Sequence, residues 1–540
     1  MLPRRADGPI RSPAPFRRRW AALLALAGGL LGALAFPRTG IWPLAVLSVA
    51  LLSVAVDGRR SRTGAWLGLL HGLAFFVPLL HWTGVYVGPV PWLLLAVAEA
   101  AFLAGLGAVL PVVQRLPGAA LWIATAWVLQ EALRDRLPFG GFPWGRLAFS
   151  QAESPLRWFA ALGGAPFVTF AVALAGGAAA AVALPLSALR PLRLRRPPSD
   201  VRTMAAAGVL LAVVLAGFAL GPLLDPSAAS STKRLSVALI QGSVPDRGLV
   251  FEDRARQVLD NHIAQTMKLA AEVRAGTAPR PDLVLWPEDA SDVDPFQDTT
   301  AYRDIDATVK AIGVPVLVGA ILQGPGANHR RNAGILWSPT TGPGAQYIKR
   351  HPVPFGEYIP LRSIAEWVSS DAKLVSQDMV GGKGNGLLTG GPAPIGDVIC
   401  FEVAYDGLVR SSVRAGAQVL VVQTNNATFG HTAETYQQLA MSQLRAVETG
   451  RTVLQVATTG VSAIVNPDGS IAQRSGALFT PDILSAAIPL RAEQTVAMRV
   501  GAVPEYVLAA LAVVAILFSA WPKRQPSTQL PVEPQEMVTT

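Results

Sequence analysis

Long apolar stretches separated by short polar connections dominate the first part of the chain. Seven of them precede residue 225, and an eighth lies near the C-terminal end. A helix crosses a bilayer with about 20 apolar residues, so several of the stretches are rather short and their bounds are approximate. The pattern predicts eight membrane helices, at about residues 20–36, 41–56, 64–82, 90–113, 119–133, 156–186, 203–224 and 501–521.

Between the last two apolar stretches the pattern changes to short β-branched runs that alternate with amphipathic segments. The runs predict buried strands and the amphipathic segments predict helices, an alternation typical of an α/β layered domain. Strands are predicted at residues 235–242, 282–287, 314–320, 394–400, 417–424 and 451–457. Helices are predicted at residues 252–274, 299–312, 403–415 and 432–449.

Composition agrees with this division of the chain. Apolar residues make up 51% of the sequence and charged residues 15%, and the mean hydropathy is +0.38, which places much of the chain in a membrane. The predicted parts are a cytoplasmic basic tail (1–19), a seven-span membrane domain (20–224), an extracytoplasmic α/β domain (234–491), a C-terminal transmembrane helix (501–521) and a disordered cytoplasmic tail (522–540).

The positive charge is concentrated in the membrane half. Residues 1–202 hold 20 Arg, no Lys and 7 acidic residues, a net charge of +13, whereas residues 203–540 carry −3. A nucleic-acid-binding surface on the α/β domain is therefore not expected. Connections on one side of the predicted membrane hold 15 basic residues and those on the other side hold five, which predicts a cytoplasmic N-terminus and an α/β domain outside the cytoplasm. The first apolar stretch is interpreted as a retained helix rather than a cleaved signal peptide, and both alternatives leave the domain on that side.

The chain has a single cysteine, Cys400, at the end of a predicted buried strand. No intrachain disulfide is possible, and the six His residues are scattered, so neither a metal site nor a cofactor is expected. A side chain at a strand-to-helix turn is held rigidly. N–H groups at a helix start favour negative charge, which predicts a lowered thiol pKa and a nucleophile. The alternative is a cysteine that acts as a small buried hydrophobic residue.

Two charged residues also lie at the ends of predicted strands. Glu288 follows the run Leu-Val-Leu-Trp-Pro, and Lys349 follows Gln-Tyr-Ile. A carboxylate can take the proton of a thiol, and an ammonium group can stabilise the thiolate and then a tetrahedral oxyanion. Each residue alone has a structural alternative, Glu288 as the neighbour of a helix cap and Lys349 as half of a basic pair with Arg350.

The three positions together resemble the nitrilase superfamily, whose members carry a Glu-Lys-Cys triad on an α-β-β-α sandwich. The matching motifs are Trp-Pro-Glu ending at Glu288, Tyr-Ile-Lys ending at Lys349 and Asp-Val-Ile-Cys-Phe-Glu ending at Glu402. Their order fits that superfamily, as do the intervals of about sixty residues from the Glu to the Lys and about fifty from the Lys to the Cys. The resemblance covers residues 234–491.

The chain as a whole is similar to a narrower family, the apolipoprotein N-acyltransferases, in which a nitrilase domain lies between seven N-terminal membrane helices and one C-terminal helix. Two further motifs carry this similarity, Phe-Gly-Gly-Phe-Pro-Trp-Gly at 139–145 and Pro-Val-Pro-Phe-Gly-Glu-Tyr-Ile-Pro at 352–360. The similarity implies that Glu288 is the base, Lys349 the oxyanion stabiliser and Cys400 the nucleophile.

The same similarity implies further residues near the triad. Glu357 and Glu402 match acidic positions that the family needs for substrate positioning, and the backbone N–H of Phe401 would complete the oxyanion hole. Three positions depart from the usual pattern, since Phe401 stands where Tyr is common, and Val250 and Thr428 stand where Trp is common. These departures bear on substrate positioning more than on the chemistry.

The implied activity is a two-step acyl transfer through a thioester on Cys400. The donor would be a phospholipid, and the acceptor the N-terminal α-amine of an S-diacylglyceryl-cysteine apolipoprotein. The implied protein is a monomer in contact with membrane lipid in the bacterial cell (inner) membrane, with its catalytic domain on the periplasmic side. Two alternatives are a membrane-tethered nitrilase-type amidase, which has little use for eight helices, and a non-catalytic transporter or scaffold, which leaves three motifs unexplained.

Other polar and apolar features have more than one interpretation. Residues 359–367 predict either an apolar flap that dips into the membrane interface or a loop packed on its own domain. Glu99, His71 and His81 lie in or beside predicted membrane helices, where ionisable groups are costly. A structural hydrogen bond or a lipid contact is the favoured interpretation of each.

Overall fold

The computed structural model describes residues 18–187, 201–225, 233–244 and 255–520. Most of the predicted N-terminal tail, Val250 and the predicted C-terminal tail lie outside the described residues. The α-helices are α1 (Arg18–Leu34), α2 (Pro43–Val56), α3 (Ser61–Leu79), α4 (Pro89–Val113), α5 (Ala119–Arg134), α6 (Ala160–Ser187), α7 (Val201–Leu224), α8 (Ala255–Arg274), α9 (Thr299–Ile312), α10 (Arg362–Val368), α11 (Asp406–Arg414), α12 (Glu434–Thr449), α13 (Val496–Val500) and α14 (Val503–Ala520).

All eight predicted apolar stretches form helices, which are α1 to α7 and α14. Four segments are long and apolar enough to cross a membrane, namely α4, Pro155–Leu184 around α6, α7 and α14, and α2 is a shorter apolar helix. The chain therefore carries several apolar helices compatible with membrane spans. Eight spans stay a prediction.

Small residues allow α3 and α4 to pack closely. A Cβ atom at Gly68 would lie 2.1 Å from the backbone oxygen of Leu103, and one at Gly64 would lie 2.0 Å from that of Gly107. Only glycine fits at such distances. Because apolar helices in lipid gain little from hydrophobic burial, close backbone approach of this kind is a main source of their association.

The strands form two sheets. They are β1 (Arg234–Gln241), β2 (Leu283–Leu285), β3 (Val316–Gln323), β4 (His329–Ser338), β5 (Gly342–Ile348), β6 (Asp378–Met379), β7 (Leu387–Leu388), β8 (Ile395–Ile399), β9 (Val419–Thr424), β10 (Val453–Ala457), β11 (Ala463–Val465), β12 (Ile471–Arg474) and β13 (Asp482–Pro489). The first sheet has the order β13-β1-β2-β3-β4-β5, with β6 on β4, and the second has the order β12-β11-β10-β9-β8-β7. The strands next to the site, β1-β2-β3 and β8-β9-β10, run parallel within each sheet.

The two sheets pack face to face and are covered by helices on both outer sides. Apolar side chains of both sheets meet in one core, among them Leu239 and Leu285 of the first sheet and Ile399 and Val421 of the second. A second core joins the other face of the first sheet to α8 and α9. The outer face of the second sheet packs on α11 and α12. The domain is thus an α-β-β-α sandwich, which confirms the predicted α/β layers and the architecture that the resemblance to the nitrilase superfamily implies.

The helix layer on the second sheet is also the contact with the apolar helices. Of the 16 residues of α12, 15 are buried, because one side of the helix lies on the sheet and the other on α6 and the connection that precedes α6. Ser442 Oγ donates to Gln455 Oε1 of β10 at 2.7 Å, and Gln437 Nε2 donates to the backbone oxygen of Leu79 at 3.4 Å. One hydrophobic core therefore runs from the second sheet into the apolar helices.

A buried charge network crosses the same boundary. Arg146, in the connection between α5 and α6, contacts Asp135 at 3.2 Å and Asp406 of α11 at 3.0 Å. Asp406 also pairs with Arg445 of α12 at 2.7 Å. Burial by itself would raise the pKa of Asp406, but the two guanidinium groups hold it below its usual range. The apolar helices and the sandwich are consequently joined by ion pairs as well as by apolar packing.

The predicted strands and helices of the sandwich are confirmed, with small shifts of their ends. The main correction is at residues 403–415, where a 3₁₀ turn, Cys400–Ala404, precedes α11. The outer strands β11, β12 and β13 and most of the antiparallel pair β4 and β5 were not predicted. Polar and glycine residues interrupt their sequences, and pairing with neighbouring strands rather than local pattern makes them extended.

Candidate active site

Cys400 lies at the tight turn where β8 meets the 3₁₀ turn. β8 is buried along its whole length, so the sheet fixes the backbone up to Ile399. At Cys400 φ is +54°, in the left-handed region that residues with a Cβ atom seldom adopt. The side chain is half-buried. The strained turn therefore holds the sulfur at the end of the strand, as a nucleophile requires.

A salt-bridge cluster forms the second part of the site. The Nζ atom of Lys349 lies 2.9 Å from Glu288 Oε1 and 2.7 Å from Glu357 Oε1. Both Lys349 and Glu288 are buried, with 1% and 3% of their surface exposed. Burial by itself would lower the pKa of Lys349, but the two carboxylates outweigh it and hold the pKa well above its usual range. Lys349 is therefore a cation here.

Further hydrogen bonds fix the Glu288 carboxylate. The Nδ2 atom of Asn332, on β4, donates to Oε1 at 2.7 Å. The backbone N–H of Asn425, just after β9, donates to Oε2 at 2.8 Å. Both sheets thus hold this one carboxylate, and it cannot rotate without breaking bonds on each side.

The expected lowering of the Cys400 pKa is wrong. Burial raises the pKa of the thiol well above its usual range, and the charge of Glu288 raises it further, while Lys349 opposes the change. The partial positive charge of the N–H groups in a single 3₁₀ turn is too small to offset the desolvation of the thiolate. The resting Cys400 is therefore a thiol, and a base would have to remove its proton for it to act as a nucleophile.

Glu402 is placed differently from Glu357. Its carboxylate is fully buried and accepts hydrogen bonds from the backbone N–H groups of Arg350, His351 and Ile399 at 2.7, 3.1 and 2.9 Å. The Tyr347 hydroxyl donates to it at 2.9 Å. Glu402 therefore connects the segment that follows Lys349 to the end of β8, just before Cys400. These hydrogen bonds fix the distance between Lys349 and Cys400.

The ring of Phe401 is packed against the connection between α5 and α6. It stacks on Trp144 with ring centroids 5.5 Å apart and planes at 7°, and on Phe142 at 5.4 Å. The backbone N–H of Phe401 follows Cys400 directly, at the start of the 3₁₀ turn, where N–H groups have no partner within the turn. Residues 139–145 therefore support the segment that would form the oxyanion hole.

Glu99 holds the connection between α5 and α6 in place, through its ion pair with Arg134. A guanidinium nitrogen of Arg134 contacts Glu99 at 2.9 Å and donates to the backbone oxygens of Phe142 and Trp144 at 2.8 and 2.5 Å. A structural role for Glu99 agrees with the favoured interpretation. His71 lies 3.4 Å from the hydroxyl of Ser48.

The apolar segment after Glu357 forms the short helix α10. Leu361, Ile364 and Trp367 expose 63%, 59% and 85% of their surface, whereas Ile359 is buried. Packing on its own domain is therefore excluded for these three side chains. Thr428 lies in a short 3₁₀ turn, Ala427–Phe429, on the same side of the domain as the apolar helices.

Several polar residues at the site were not predicted. Thr424 Oγ1 and Gln438 Nε2 lie 3.3 and 3.7 Å from the Cys400 sulfur, and Asn332 and Asn425 hold Glu288. Thr424 ends a predicted strand and Asn425 follows it, which is the one signal in the sequence that could have found them. Asn332 and Gln438 lie inside elements and reach the site only through the packing of the sheets and α12.

The domain organisation agrees with two family models. Residues 237–498 match the carbon-nitrogen hydrolase model, and residues 28–178 match the apolipoprotein N-acyltransferase N-terminal domain. The sandwich with its strained cysteine, glutamates and lysine thus defines a carbon-nitrogen hydrolase domain of the nitrilase type.

Relatives that match nearly the whole chain identify the family within this class. An apolipoprotein N-acyltransferase of Mycolicibacterium smegmatis is 41% identical over 511 residues, which cover 92% of this chain and 84% of the relative. One from Geobacter metallireducens is 31% identical, over 92% of this chain and 94% of the relative. The chain belongs to the apolipoprotein N-acyltransferase family.

Among solved structures, an amidase from Nesterenkonia sp. AN1 is similar to the sandwich. It is 19% identical, with a TM-score of 0.36, over 51% of this chain and 96% of the amidase. That amidase mutant shows covalent addition of an acetamide moiety at its active-site cysteine.

Proposed function

We propose that this protein transfers a fatty acyl chain from a phospholipid to the N-terminal α-amine of S-diacylglyceryl-cysteine apolipoproteins. Family membership over more than nine-tenths of the chain supports the activity. The observation that carries the chemistry is the contact of Lys349 with Glu288 and Glu357 beside the strained Cys400.

In the first step Glu288 takes the proton of the Cys400 thiol while the sulfur attacks the ester carbonyl of the phospholipid. Among the described residues, Lys349 Nζ donates to two carboxylates, so its third N–H is available for the oxyanion, together with the backbone N–H of Phe401. The ester C–O bond then breaks. Glu288 gives its proton to the departing lysophospholipid oxygen, and the acyl chain stays on Cys400 as a thioester.

In the second step the α-amine of the apolipoprotein attacks the thioester carbonyl. Glu288 takes a proton from the nitrogen and returns it to the sulfur as the C–S bond breaks, which leaves an amide on the acceptor and a thiol on the enzyme. The fixed position of Glu288 suits both steps, because the same carboxylate must face the sulfur and the attacking or leaving atom.

We also propose how the chain lies in the membrane. The eight apolar helices would span the bacterial cell membrane as one monomer, with the N-terminus in the cytoplasm and residues 234–491 on the periplasmic side. The excess of arginine in the connections on the N-terminal side supports this orientation. The exposed side chains of α10 would dip into the outer leaflet beside Glu357 and guide acyl chains to the site.

The chemistry is tested by incubating the purified protein with phospholipid and measuring its intact mass. We expect a gain of one acyl chain at Cys400 and release of lysophospholipid. Adding a diacylglyceryl-cysteine lipopeptide should then restore the original mass and yield the N-acylated peptide. Formation of the same adduct by Cys400→Ala would contradict the proposal. For the orientation, Lys268→Cys, at an exposed site on α8, in the Cys400→Ala background should react with an impermeant thiol reagent added from the periplasmic side only.

A further inference from the structure

A second carboxyl group, outside the Glu288 cluster, is connected to the sulfur through two amide side chains. Glu434 is the first residue of α12, and its Oε2 accepts a hydrogen bond from Asn426 Nδ2 at 2.8 Å. Asn426 Nδ2 also donates to Gln438 Oε1 at 2.9 Å, and Gln438 Nε2 lies 3.7 Å from the Cys400 sulfur. A continuous polar chain therefore connects Glu434 to the nucleophile.

Glu434 has no counter-ion in the part of the chain that the structure describes. It is 2% exposed, and none of the ion pairs of the described residues includes it. Its hydrogen-bond partners are the neutral Asn426 and the hydroxyl of Thr432, which accepts from the Glu434 N–H. The charged group that acts on it is Glu288, and Glu434 itself raises the pKa of Cys400. Burial raises the pKa of Glu434 to about 8, and the Asn426 bond partly opposes this. A buried carboxyl without a cation needs an explanation.

In the second step of the proposed reaction, the acceptor amine carries one more proton than Glu288 can remove. An α-amine has a pKa near 7.7–8.0, so the acceptor arrives mostly as an ammonium group with three protons. One stays on the amide and one passes through Glu288 to the sulfur. Both oxygens of Glu288 are already held by Asn332, Lys349 and Asn425, and this carboxylate takes up one proton per step. A second acceptor close to the nitrogen would take the third proton.

We propose that Glu434 binds the α-ammonium group of the acceptor and takes up this third proton. The inference rests on the proposed acyl transfer. At rest Glu434 is mostly protonated at pH 7. The incoming cation lowers its pKa, so Glu434 loses its own proton to water as the acceptor binds. The carboxylate then takes one proton from the ammonium group, which makes the nitrogen lone pair available for attack on the thioester. The nitrogen forms the new C–N bond, Glu288 carries the next proton to sulfur, and Glu434 later releases its proton to water.

The test separates the two steps in the full-length enzyme with Glu434→Gln, which keeps the size and the acceptor for Asn426. Glu493→Gln, at an exposed site, serves as the charge-matched control. The acyl-enzyme is formed with phospholipid, and a diacylglyceryl-cysteine lipopeptide is then added. We expect Glu434→Gln to acylate Cys400 within about twofold of the parent. We expect its transfer to the lipopeptide to fall at least tenfold at pH 7 and to recover at pH 9, where the amine is neutral on its own.

Hydroxylamine provides a second measurement, because it is unprotonated at pH 7. It should remove the acyl group from Glu434→Gln as fast as from the parent. Parental transfer to the lipopeptide at pH 7, a loss that pH 9 does not relieve, or a loss of acylation itself would each overturn the role of Glu434. If the parent forms no acyl-enzyme from phospholipid, the proposed function fails instead.

Discussion

Replacing Lys349 by Met would remove the cation between two buried carboxylates while keeping most of the side-chain volume. Glu288 Oε1 and Glu357 Oε1 both contact Nζ, at 2.9 and 2.7 Å, so these oxygens can be at most about 5.6 Å apart. With the effective dielectric constant of about 20 that describes such sites, two negative charges at this distance repel by about 3 kcal/mol. The variant would relieve this repulsion by keeping one proton on the pair, which would occupy the proposed base.

The expected loss of acylation follows from this energy. A cost of about 3 kcal/mol corresponds to a factor of about 100 to 200 in rate, before the loss of oxyanion stabilisation is added. Acylation of Cys400 by phospholipid, followed by intact mass against time, measures it directly. Lys349→Arg keeps the charge and should retain more activity than Lys349→Met.

A stability measurement separates repulsion from other causes. The double variant Lys349→Met with Glu357→Gln removes one of the two charges, so its thermal unfolding temperature should rise above that of Lys349→Met alone, while acylation stays low. Acylation by Lys349→Met within tenfold of the parent, or a double variant less stable than the single one, would refute the reasoning.

Three further predictions follow from the same site. Because burial raises the pKa of the Cys400 thiol, its alkylation by iodoacetamide should keep rising with pH beyond the usual cysteine range near 8.5, and a plateau at or below pH 8 would contradict this. Glu402→Gln places an amide N–H₂ group where a carboxylate now accepts from backbone N–H groups, and it should lower the free energy of unfolding by about 2–4 kcal/mol in chemical denaturation. An unchanged free energy of unfolding would contradict the structural role of Glu402. Phe401→Leu loses the stacking on Trp144 and should lower the acylation rate about tenfold with little change in phospholipid KM, and a change in KM alone would point to substrate contact instead.

The sequence predicts the parts of the fold that local pattern controls. The apolar helices and the parallel strands next to the site follow from long apolar or β-branched runs, and strand ends point to Glu288 and Cys400. The outer strands cannot be predicted from local pattern, because their extended conformation depends on pairing with neighbouring strands. Gln438 cannot be predicted as a site residue, because a polar residue within a helix does not indicate which sheet the helix will pack on.

The electrostatics of the site are less predictable than its residues. A favourable turn at Cys400 was visible in the sequence, but the depth of burial that reverses the pKa change depends on the joining of two sheets and α12. In the same way Glu402 resembles an acid that faces substrate, yet four groups from two chain segments enclose it. Three of these groups lie more than fifty residues away along the chain and reach Glu402 only through tertiary contacts.

The position of α12 has a practical consequence for work with the catalytic half. Cut away from the apolar helices, the sandwich would expose to water the leucine and valine side chains of α12 that now pack against α6 and the connection that precedes it. A soluble fragment comprising residues 234–491 would therefore aggregate rather than remain in solution. Inhibitor screening on this enzyme accordingly calls for the entire polypeptide in detergent or nanodiscs.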